Sequence, residues 1–583
     1  MCRKVPARYA SAYTSGKLWI PSELVQNFIN EFINSWLAGL PALSKMVKVA
    51  GDSIETEIDE RIRRALALGD VEQIEAAYDV LWYELPSRYS TEILKATERF
   101  GTDVYLRRPR LMHITLLAHH QRDYRGDNPD LGRILQMFRT QGRRYASRLA
   151  EFDNPSDLLT AGTIAVIAAR LEGAFRRADQ LGMWLDDRLG AMPSSAHVPW
   201  APDHAGAKPG WLSTQRGLTA TLSGDYDYAS RLYTRGFSEA GPAPRGHFAG
   251  ANSAANLAMV FALRGHFDLA RQWIERMAAL GPLPDWIEHL TALGAKIAGA
   301  LIAVEEGDAE LARERLDRIG PATQHVELWP FILHVRGTYH ACFGDPYEGL
   351  AELEAARLAH GTSSVEAGAT QHLLLRTEAK LLLRTHNAAR VLHLARTDPD
   401  QFPAHLTAWA HIYSGHPHQA IRVSARALHR ASEPLALADA IELHLTIAVA
   451  HLRNGHTDRA IQSFEAATRM RSTPMHVRPF LLAPPDDIAT LARLTDTPNP
   501  LEAIKTARPN PLHTIALVDL TPRELAVLHT LDQGITAVAA AQKLGVSPAT
   551  VRSQTASIYR KLGVSRRNAA LARAYELGLF GKN

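Results

Sequence analysis

A short marker, a glycine followed five positions later by an alanine, recurs along most of this 583-residue chain and constrains its fold more than any other feature. Each copy lies between two stretches that have the apolar spacing of amphipathic helices. From Gly224 onward the copies are mostly 37 to 42 residues apart. The copies are Gly173–Ala178, Gly224–Ala229, Gly265–Ala270, Gly307–Ala312, Gly344–Gly349, Gly415–Ala420 and Gly455–Ala460, with a degenerate copy at Arg384–Ala389 and an early one at Gly69–Ile74.

The marker has a simple physical interpretation. Glycine ends the first helix in a left-handed turn, Asp or His begins the second, and the small alanine lets the second helix pack closely against the first. One such pair leaves an apolar face open, which the next pair covers. We therefore expect an all-α fold, with helical hairpins stacked into a solenoid over residues 55–470. The pattern resembles tetratricopeptide-type (TPR-like) repeats, and such an array offers a long concave surface for a ligand or a protein.

Three other segments interrupt or flank the array. Residues 1–54 form an N-terminal extension whose stretch 24–46 has the spacing of an amphipathic helix, expected to cap the array, although a dimerisation or membrane-surface role stays open. Residues 191–212 are rich in Pro, Gly and Ala and predict a long loop. Residues 471–513 contain eight prolines and predict a linker, with one short helix over 486–494.

The C-terminal segment, residues 514–583, concentrates the positive charge. It has nine basic and four acidic residues, so it carries +5 while the whole chain carries +4 and the rest is −1. This asymmetry is typical of a nucleic-acid-binding module attached to a near-neutral body.

The spacing in this segment predicts four helices. Thr521 to Glu524 has the pattern of a capping box, a second short helix over 537–544 stops at Gly545, and Ser547 caps a third helix. A last helix is expected over 566–577, and Val546 is expected to turn inward. The third helix buries Val551, Thr555, Ile558 and Leu562 on one side and leaves Ala549, Ser553, Ala556 and Arg560 on the other. Two helices joined by a short turn that contains glycine describe a helix-turn-helix.

Residues 520–580 resemble the DNA-binding domain of the LuxR-type bacterial regulators. The matching motifs are LTPRE, LGVSPATV, IYRKLGV and ELGL, together with the stop at Gly534. Two positions depart from the family pattern, because Ala540 stands where a large aliphatic residue is usual and Gln554 where histidine is common. The loss of a large core side chain costs roughly 2–5 kcal/mol if nothing fills the space.

The resemblance implies double-stranded DNA as a partner, with the third helix in the major groove. It assigns base-edge contacts to Arg552, Ser553, Ala556 and Ala549. Phosphate contacts are expected from Ser547, Thr550, Gln554, Arg560, Lys561, Arg566 and Arg567, the last two being alternatively a solvated helix start. The family pairs its domains on DNA, so we expect a homodimer, with Leu571, Ala572 and Tyr575 as the pairing face. Tyr575 is equally interpretable as domain core.

The large regulators of this kind usually contain an ATP-binding module, but no Gly-x-x-x-x-Gly-Lys-Ser/Thr motif occurs here. No catalytic or paired-cysteine motif occurs either, so we expect no enzyme activity, no cofactor and no metal. His119, His120, His416 and His418 are expected to be solvated, and the tryptophans to be repeat core. The sequence favours a cytoplasmic transcriptional regulator without a membrane span, whose repeat region senses an unknown effector. The alternative is a protein-interaction scaffold or antagonist whose C-terminal domain mainly dimerises.

Overall fold

The computed structural model describes residues 58–124, 132–192, 208–241, 248–320, 327–360, 368–397, 402–430, 435–471, 476–502, 504, 520–562 and 564–576. All regular elements within these ranges are α-helices or short 3₁₀ helices, which confirms the all-α prediction for this part of the chain. The chain forms two compact units, residues 1–74 and 75–583. The predicted helix over 24–46 lies outside the described residues.

In the first unit, helix α1 spans residues 58–68 and ends at Gly69, which has a φ of 65°. The amides of Gly69 and Asp70 donate to the carbonyls of Leu66 and Ala65, the pattern that closes a helix through a left-handed residue. Helix α2 (Val71–Leu81) follows at once. The early copy of the marker therefore forms the predicted helix-turn-helix connection.

The second unit is a long series of helices up to residue 502. They are α3 (Glu84–Thr97), α4 (Thr102–Arg107), α5 (Pro109–Asp123), α6 (Gly132–Ala146), α7 (Pro155–Leu171), α8 (Phe175–Gly190), α9 (Trp211–Ser223), α10 (Tyr226–Ala240), α11 (Phe248–Leu263), α12 (Phe267–Ala279), α13 (Asp285–Thr291), α14 (Leu293–Glu305), α15 (Ala309–Ile319), α16 (Trp329–Cys342), α17 (Pro346–His360), α18 (Ala369–Arg384), α19 (Ala388–Thr397), α20 (Ala404–Tyr413), α21 (Pro417–Arg430), α22 (Leu437–Arg453), α23 (Thr457–Arg469) and α24 (Pro485–Leu494). Two 3₁₀ helices, Leu149–Glu151 and Arg478–Phe480, lie among them.

From α7 onward the helices pack in pairs. The first helix of each pair, such as α7 or α11, is apolar and buried around most of its circumference, whereas the second is amphipathic. Each first helix contacts its own partner and the first helix of the next pair, in the series α7, α9, α11, α14, α16, α18, α20 and α22. Packing of adjacent pairs is consistent with the repeat pattern; the solenoid and its TPR-like class stay predictions.

The turn within each pair has the expected geometry at most copies of the marker. The glycines that begin six copies have φ between 71° and 95°, and the alanines that end these copies are all 0% exposed. The six are Gly173, Gly224, Gly265, Gly307, Gly415 and Gly455. Gly344 differs because its φ is outside the left-handed region, and at Gly349 even a Cβ atom would lie 2.8 Å from Leu381.

At the degenerate copy the turn lies two residues later than the spacing predicts. Helix α18 ends at Arg384, and the left-handed position is taken by His386, with a φ of 60°. The His386 and Asn387 amides donate to the carbonyls of Leu383 and Leu382, as in the glycine-containing turns. Val391, five residues after His386, is 0% exposed and occupies the position of the marker alanine. The turn is preserved, although a non-glycine residue pays about 1–2 kcal/mol for this conformation.

The linker predicted over 471–513 needs correction for residues 476–502. Phe480, Leu482, Ile488 and Leu491 are buried in the same core cluster as Trp409 of α20. The backbone amide of Val477 also donates to the carbonyl of Glu305, at 3.0 Å. We call helices α3–α24, with their connections up to residue 502, the helical unit. The stretch 476–502 is thus a packed part of this unit, because its apolar residues are buried in a core despite the surrounding prolines. Residues 505–519 lie outside the described part.

Two smaller expectations also differ. His120 is buried beside Trp286 and His289, and burial lowers its pKa to about 4, whereas solvation was expected. In the predicted 191–212 loop, residues 193–207 lie outside the described part, and Trp211 already begins α9. Among described residues no single helix is long and apolar enough to cross a membrane; the bent pair α13 and α14 meets this test only in combination.

Substitution of Ala270 by leucine tests the close packing within pairs. Ala270 is fully buried on α12, so three added carbon atoms have no space between the paired helices. We expect a loss of about 1–3 kcal/mol in the free energy of unfolding, measured by urea denaturation followed by circular dichroism. The neighbouring Leu269 is 40% exposed, and Leu269→Ala should change stability by less than about 0.5 kcal/mol. Equal losses from both substitutions would contradict this explanation of the marker.

Candidate nucleic-acid interface

Four short helices form a separate core near the C-terminus. They are α25 (Pro522–Asp532), α26 (Ala537–Leu544), α27 (Pro548–Leu562) and α28 (Arg567–Glu576). The buried apolar residues of this core are Leu520, which precedes α25, and Val527, Leu528, Ala540, Ala541, Val551, Ile558, Leu562, Ala570 and Ala574. Ala540, the departure from the family pattern, is thus fully enclosed by this core. The four predicted helices are present, with α26 at the predicted bounds.

A buried carboxylate joins α25 to α27. Glu524 accepts from the Thr521 amide at 2.7 Å, which completes the predicted capping box. The same carboxylate accepts from the hydroxyl of Ser557 at 2.8 Å and the ammonium of Lys561 at 2.7 Å, one turn apart on α27. Burial alone would raise the pKa of Glu524, but these hydrogen bonds outweigh it and lower the pKa to about 2. One acidic side chain therefore both caps α25 and fixes the orientation of α27.

The connection between α26 and α27 is a tight turn. Gly545 is left-handed, with φ 66° and ψ 31°, and Ser547 accepts from the Thr550 amide at 3.1 Å to cap α27. Val546 was expected to turn inward, but it is 37% exposed. The Val546 amide donates to the Ala541 carbonyl and so closes α26.

The residues assigned to base contact share one exposed face of α27. Ala549, Arg552, Ser553 and Ala556 are all exposed, and Arg560 continues this face one turn further. The opposite face carries the buried Val551, Ile558 and Leu562. Helix α27 contains no acidic residue, and its exposed face combines small side chains with cations. Such a surface allows an anionic partner to approach closely.

The residues assigned to phosphates have different environments. Ser547, Thr550, Arg560 and Arg566 are exposed, whereas Gln554 and Lys561 are half-buried. Lys561 is paired with Glu524. Arg567 donates from its guanidinium to the Leu531 carbonyl and so attaches the start of α28 to the end of α25. Lys561 and Arg567 therefore have structural contacts, which cannot be predicted from local sequence because their partners lie more than thirty residues away. Their assignment to phosphates stays a prediction.

The candidate pairing residues lie on α28. Leu571 is half-buried and packs against the core of the domain, and Ala572 is exposed. The side chain of Tyr575 is outside the described part of the chain. The pairing face therefore stays a prediction.

Comparisons with known proteins point to the same domain. Residues 518–574 match the family described as bacterial regulatory proteins, luxR family. The chain is also similar to the transcriptional regulatory protein YdfI of Bacillus subtilis (strain 168), with 42% identity over 61 residues. That match covers 10% of this chain and 29% of the length of YdfI. The C-terminal domain is thus a LuxR-type helix-turn-helix domain, whereas the helical unit before it has no counterpart in these matches.

Replacement of Glu524 by glutamine tests its role in holding α27. The amide can still accept from Thr521, but it carries no charge and cannot form the ion pair with Lys561, so we expect the domain to lose about 1–2 kcal/mol of stability. Hydrogen exchange of the full-length protein should become faster in α25 and α27 while α22 is unchanged.

The wild-type protein should show the same effect in acid. The folded pKa of Glu524, about 2, is below its ordinary value of 4.5, so its contribution is complete above about pH 4.5 and is lost as the pH falls toward 2. Glu524→Gln should remove this part of the acid dependence of exchange in α27. An unchanged acid dependence in the variant would show that another group controls this helix.

Proposed function

We propose that this chain is a DNA-binding transcriptional regulator of the LuxR type, in which the helical unit senses an effector and the C-terminal domain binds a specific operator. The observation that supports the proposal most directly is the exposed, acid-free face of α27 within a domain that matches the luxR family. The helix is capped at Ser547 and held by Glu524, so this face is already shaped before any contact with DNA.

In this proposal α27 lies in the major groove, which is wide enough for one helix and shows a distinct pattern for each base pair. Arg552 is exposed and donates two hydrogen bonds to the O6 and N7 atoms of a guanine. Ala549 and Ala556 permit close approach and contact thymine methyl groups. Ser553 contributes a hydroxyl that accepts or donates and so discriminates weakly.

The phosphates receive the polar and basic residues around this face. Ser547, Thr550, Gln554 and Arg560 lie along α27, and Arg566 precedes α28. These contacts position the helix without reading sequence, and the net charge of +5 over residues 514–583 adds a salt-dependent attraction. Lys561 and Arg567 complete the set while they also support the domain.

One domain contacts few base pairs, so specificity requires a second copy. We propose a homodimer on DNA that pairs through α28, with Ala572 and Tyr575 at the face and Leu571 beneath it. The helical unit then controls how the two domains are presented, because an effector shifts the population of the arrangement that it binds better. We also propose a cytoplasmic location for the protein, because its proposed target is DNA.

Substitution of Arg552 by alanine tests base recognition. With an operator selected from genomic fragments by the wild-type protein, the variant should lose roughly 1–3 kcal/mol of discrimination, about 5- to 150-fold, against a fragment with the contacted guanine replaced. Gel-shift titration of the full-length protein measures both affinities. Arg469→Ala is the control, because it removes the same charge from an exposed position at the end of α23. The ratio of the two affinities should be unchanged in this variant. If the Arg552 variant keeps the wild-type ratio, α27 does not read the sequence through this residue.

Substitution of Arg560 by alanine tests a phosphate contact. Affinity should fall by a similar factor for every sequence, and the slope of log K against log salt should decrease by about one. The same gel-shift titration at several salt concentrations measures the slope. A sequence-dependent loss without a change of slope would move Arg560 from the phosphate group to the base-contacting group.

A further inference from the structure

Helix α18 places three cations on one face inside the helical unit. Arg376, Lys380 and Arg384 are separated by one turn each, so their side chains follow one another along the helix. Lys380 is 4% exposed and Arg384 is 6% exposed, and Arg376 is half-buried. Long basic side chains are rarely buried to this extent unless they are paired.

Three carboxylates from other helices lie close by, but they serve other cations. Asp439 of α22 accepts two hydrogen bonds from Arg376, at 2.7 and 2.5 Å. Glu305 of α14 and Glu442 of α22 accept from Arg478, at 2.6 and 3.1 Å. These contacts involve Arg376 and Arg478, so no carboxylate in the cluster pairs with Lys380 or Arg384.

Among the described residues, neither Lys380 nor Arg384 has a carboxylate in contact, although the charge of Glu442 also acts on Lys380. Within the described ranges Lys380 has no hydrogen-bond or ion-pair partner, and Arg384 has only the Leu481 carbonyl, at 3.4 Å from one guanidinium nitrogen. The Nε atom of Arg384 is buried and has no hydrogen-bond partner in the described part of the chain. Burial, and next the charge of Arg478, lower the pKa of Lys380 to about 8, so the ammonium stays mainly protonated at pH 7. A buried cation without compensation is unfavourable.

Apart from the three carboxylates, the described groups around Lys380 and Arg384 supply no negative charge. Burial raises the pKa of Cys342 to about 11, so its thiol is neutral. Burial likewise lowers the pKa values of His334 and His405, which keeps both imidazoles uncharged. Two polar atoms of the cluster, the Oε2 atom of Glu442 and the Nε2 atom of His405, lie 3.8 Å apart and have no hydrogen-bond partner among the described residues. At least one of the two therefore has a lone pair available to an external donor.

We propose that Lys380 and Arg384 bind the acid group, a carboxylate or a phosphate, of a small hydroxylated effector. The acid group supplies the charge that the cluster lacks, and a hydroxyl donates to Glu442 or His405. The binding of the anion depends only on the helical unit. The regulatory role of the bound anion rests on the proposed function. Arg384 contacts the Leu481 carbonyl, and Leu481 belongs to the packed stretch 476–502, which precedes the DNA-binding domain in the sequence. The site is therefore suited to a regulatory role.

The test measures the thermal stability of the full-length protein at constant ionic strength with inorganic phosphate, acetate, glycolate, or neutral glycerol. We expect the melting temperature to rise by roughly 1–3 °C at tenfold the dissociation constant of the better acid probe, and glycerol to have no effect. Comparison of phosphate with acetate identifies the preferred acid group. A larger shift with glycolate than with acetate supports the hydroxyl contact, and equal shifts overturn that part.

Variants locate the site. Lys380→Met should abolish the response to every acid probe and, without any probe, should melt no lower than the wild type, because it removes an unpaired buried charge. Lys380→Arg should keep the response. Arg376→Met should melt lower, because it leaves Asp439 unpaired, and the exposed Lys95→Met is the matched control with wild-type behaviour.

No shift in the wild-type protein, or an equal shift in Lys380→Met, overturns the proposal. If Lys380→Met does not fold, crystals of the wild-type protein with selenate decide, since anomalous density between Lys380 and Arg384 is expected and its absence overturns the site. Operator binding measured in parallel separates the two proposals. Failure to bind DNA would overturn the proposed function and leave the anion site supported. Operator binding without any response to the acid probes would overturn the anion site and leave the proposed function supported.

Discussion

The close approach of paired helices is the constraint on which the helical unit depends. A left-handed residue reverses the chain, and five positions later a residue without a bulky side chain lies fully enclosed against the preceding helix. The separation of two packed helices depends on the side chains at their contact, so the small residue sets this spacing. Each first helix is then close enough to its neighbours to be buried on most sides. The same constraint extends beyond neighbours, since a Cβ atom at Gly368 would lie 2.3 Å from the carbonyl oxygen of Leu222.

Local signals predicted the helices well, and long-range packing decided where those signals failed. The marker glycines and the capping box at Thr521 describe contacts within six residues, so their geometry follows from sequence. The stretch 476–502 was expected to be a linker because prolines outweigh its apolar residues in a local analysis. Its apolar residues pack against helices far away in the sequence, such as α20 with Trp409, and Arg478 bonds to Glu305, 173 positions away. The degenerate turn was misplaced because His386 takes a conformation that usually signals glycine.

In the candidate interface, too, local features were predictable from the sequence and long-range contacts were not. The exposed and buried faces of α27 follow from helical periodicity, and the predicted base-contacting residues are on the exposed face. The roles of Glu524 and Arg567 could not be predicted, because a capping glutamate and a basic residue at a helix start each have an adequate local explanation. Only the fold brings Glu524 to Lys561 and Arg567 to Leu531. Residues that a resemblance assigns to DNA contact can therefore also stabilise the domain. If their substitution reduces DNA binding, the cause is either a lost contact with DNA or a less stable domain, and the two must be measured separately.

Buried charge gives the helical unit a different kind of interior from its apolar pairs. Packing of alanine and leucine tolerates few alternatives, because interiors are dense and displaced side chains have no space. In a cluster of ion pairs, the cost of desolvation offsets much of the attraction between the charges, so the net stabilisation is small. A change in one charge also alters the energy of every other pair in the cluster. Arg376, Arg478 and Lys380 belong to one such cluster, which connects α14, α18, α22 and the stretch after α23. A change of charge at this position therefore affects four distant segments together, whereas a change in an apolar pair acts mainly on the helices packed against it. Coupling between an effector and the C-terminal domain would start most readily from such a cluster.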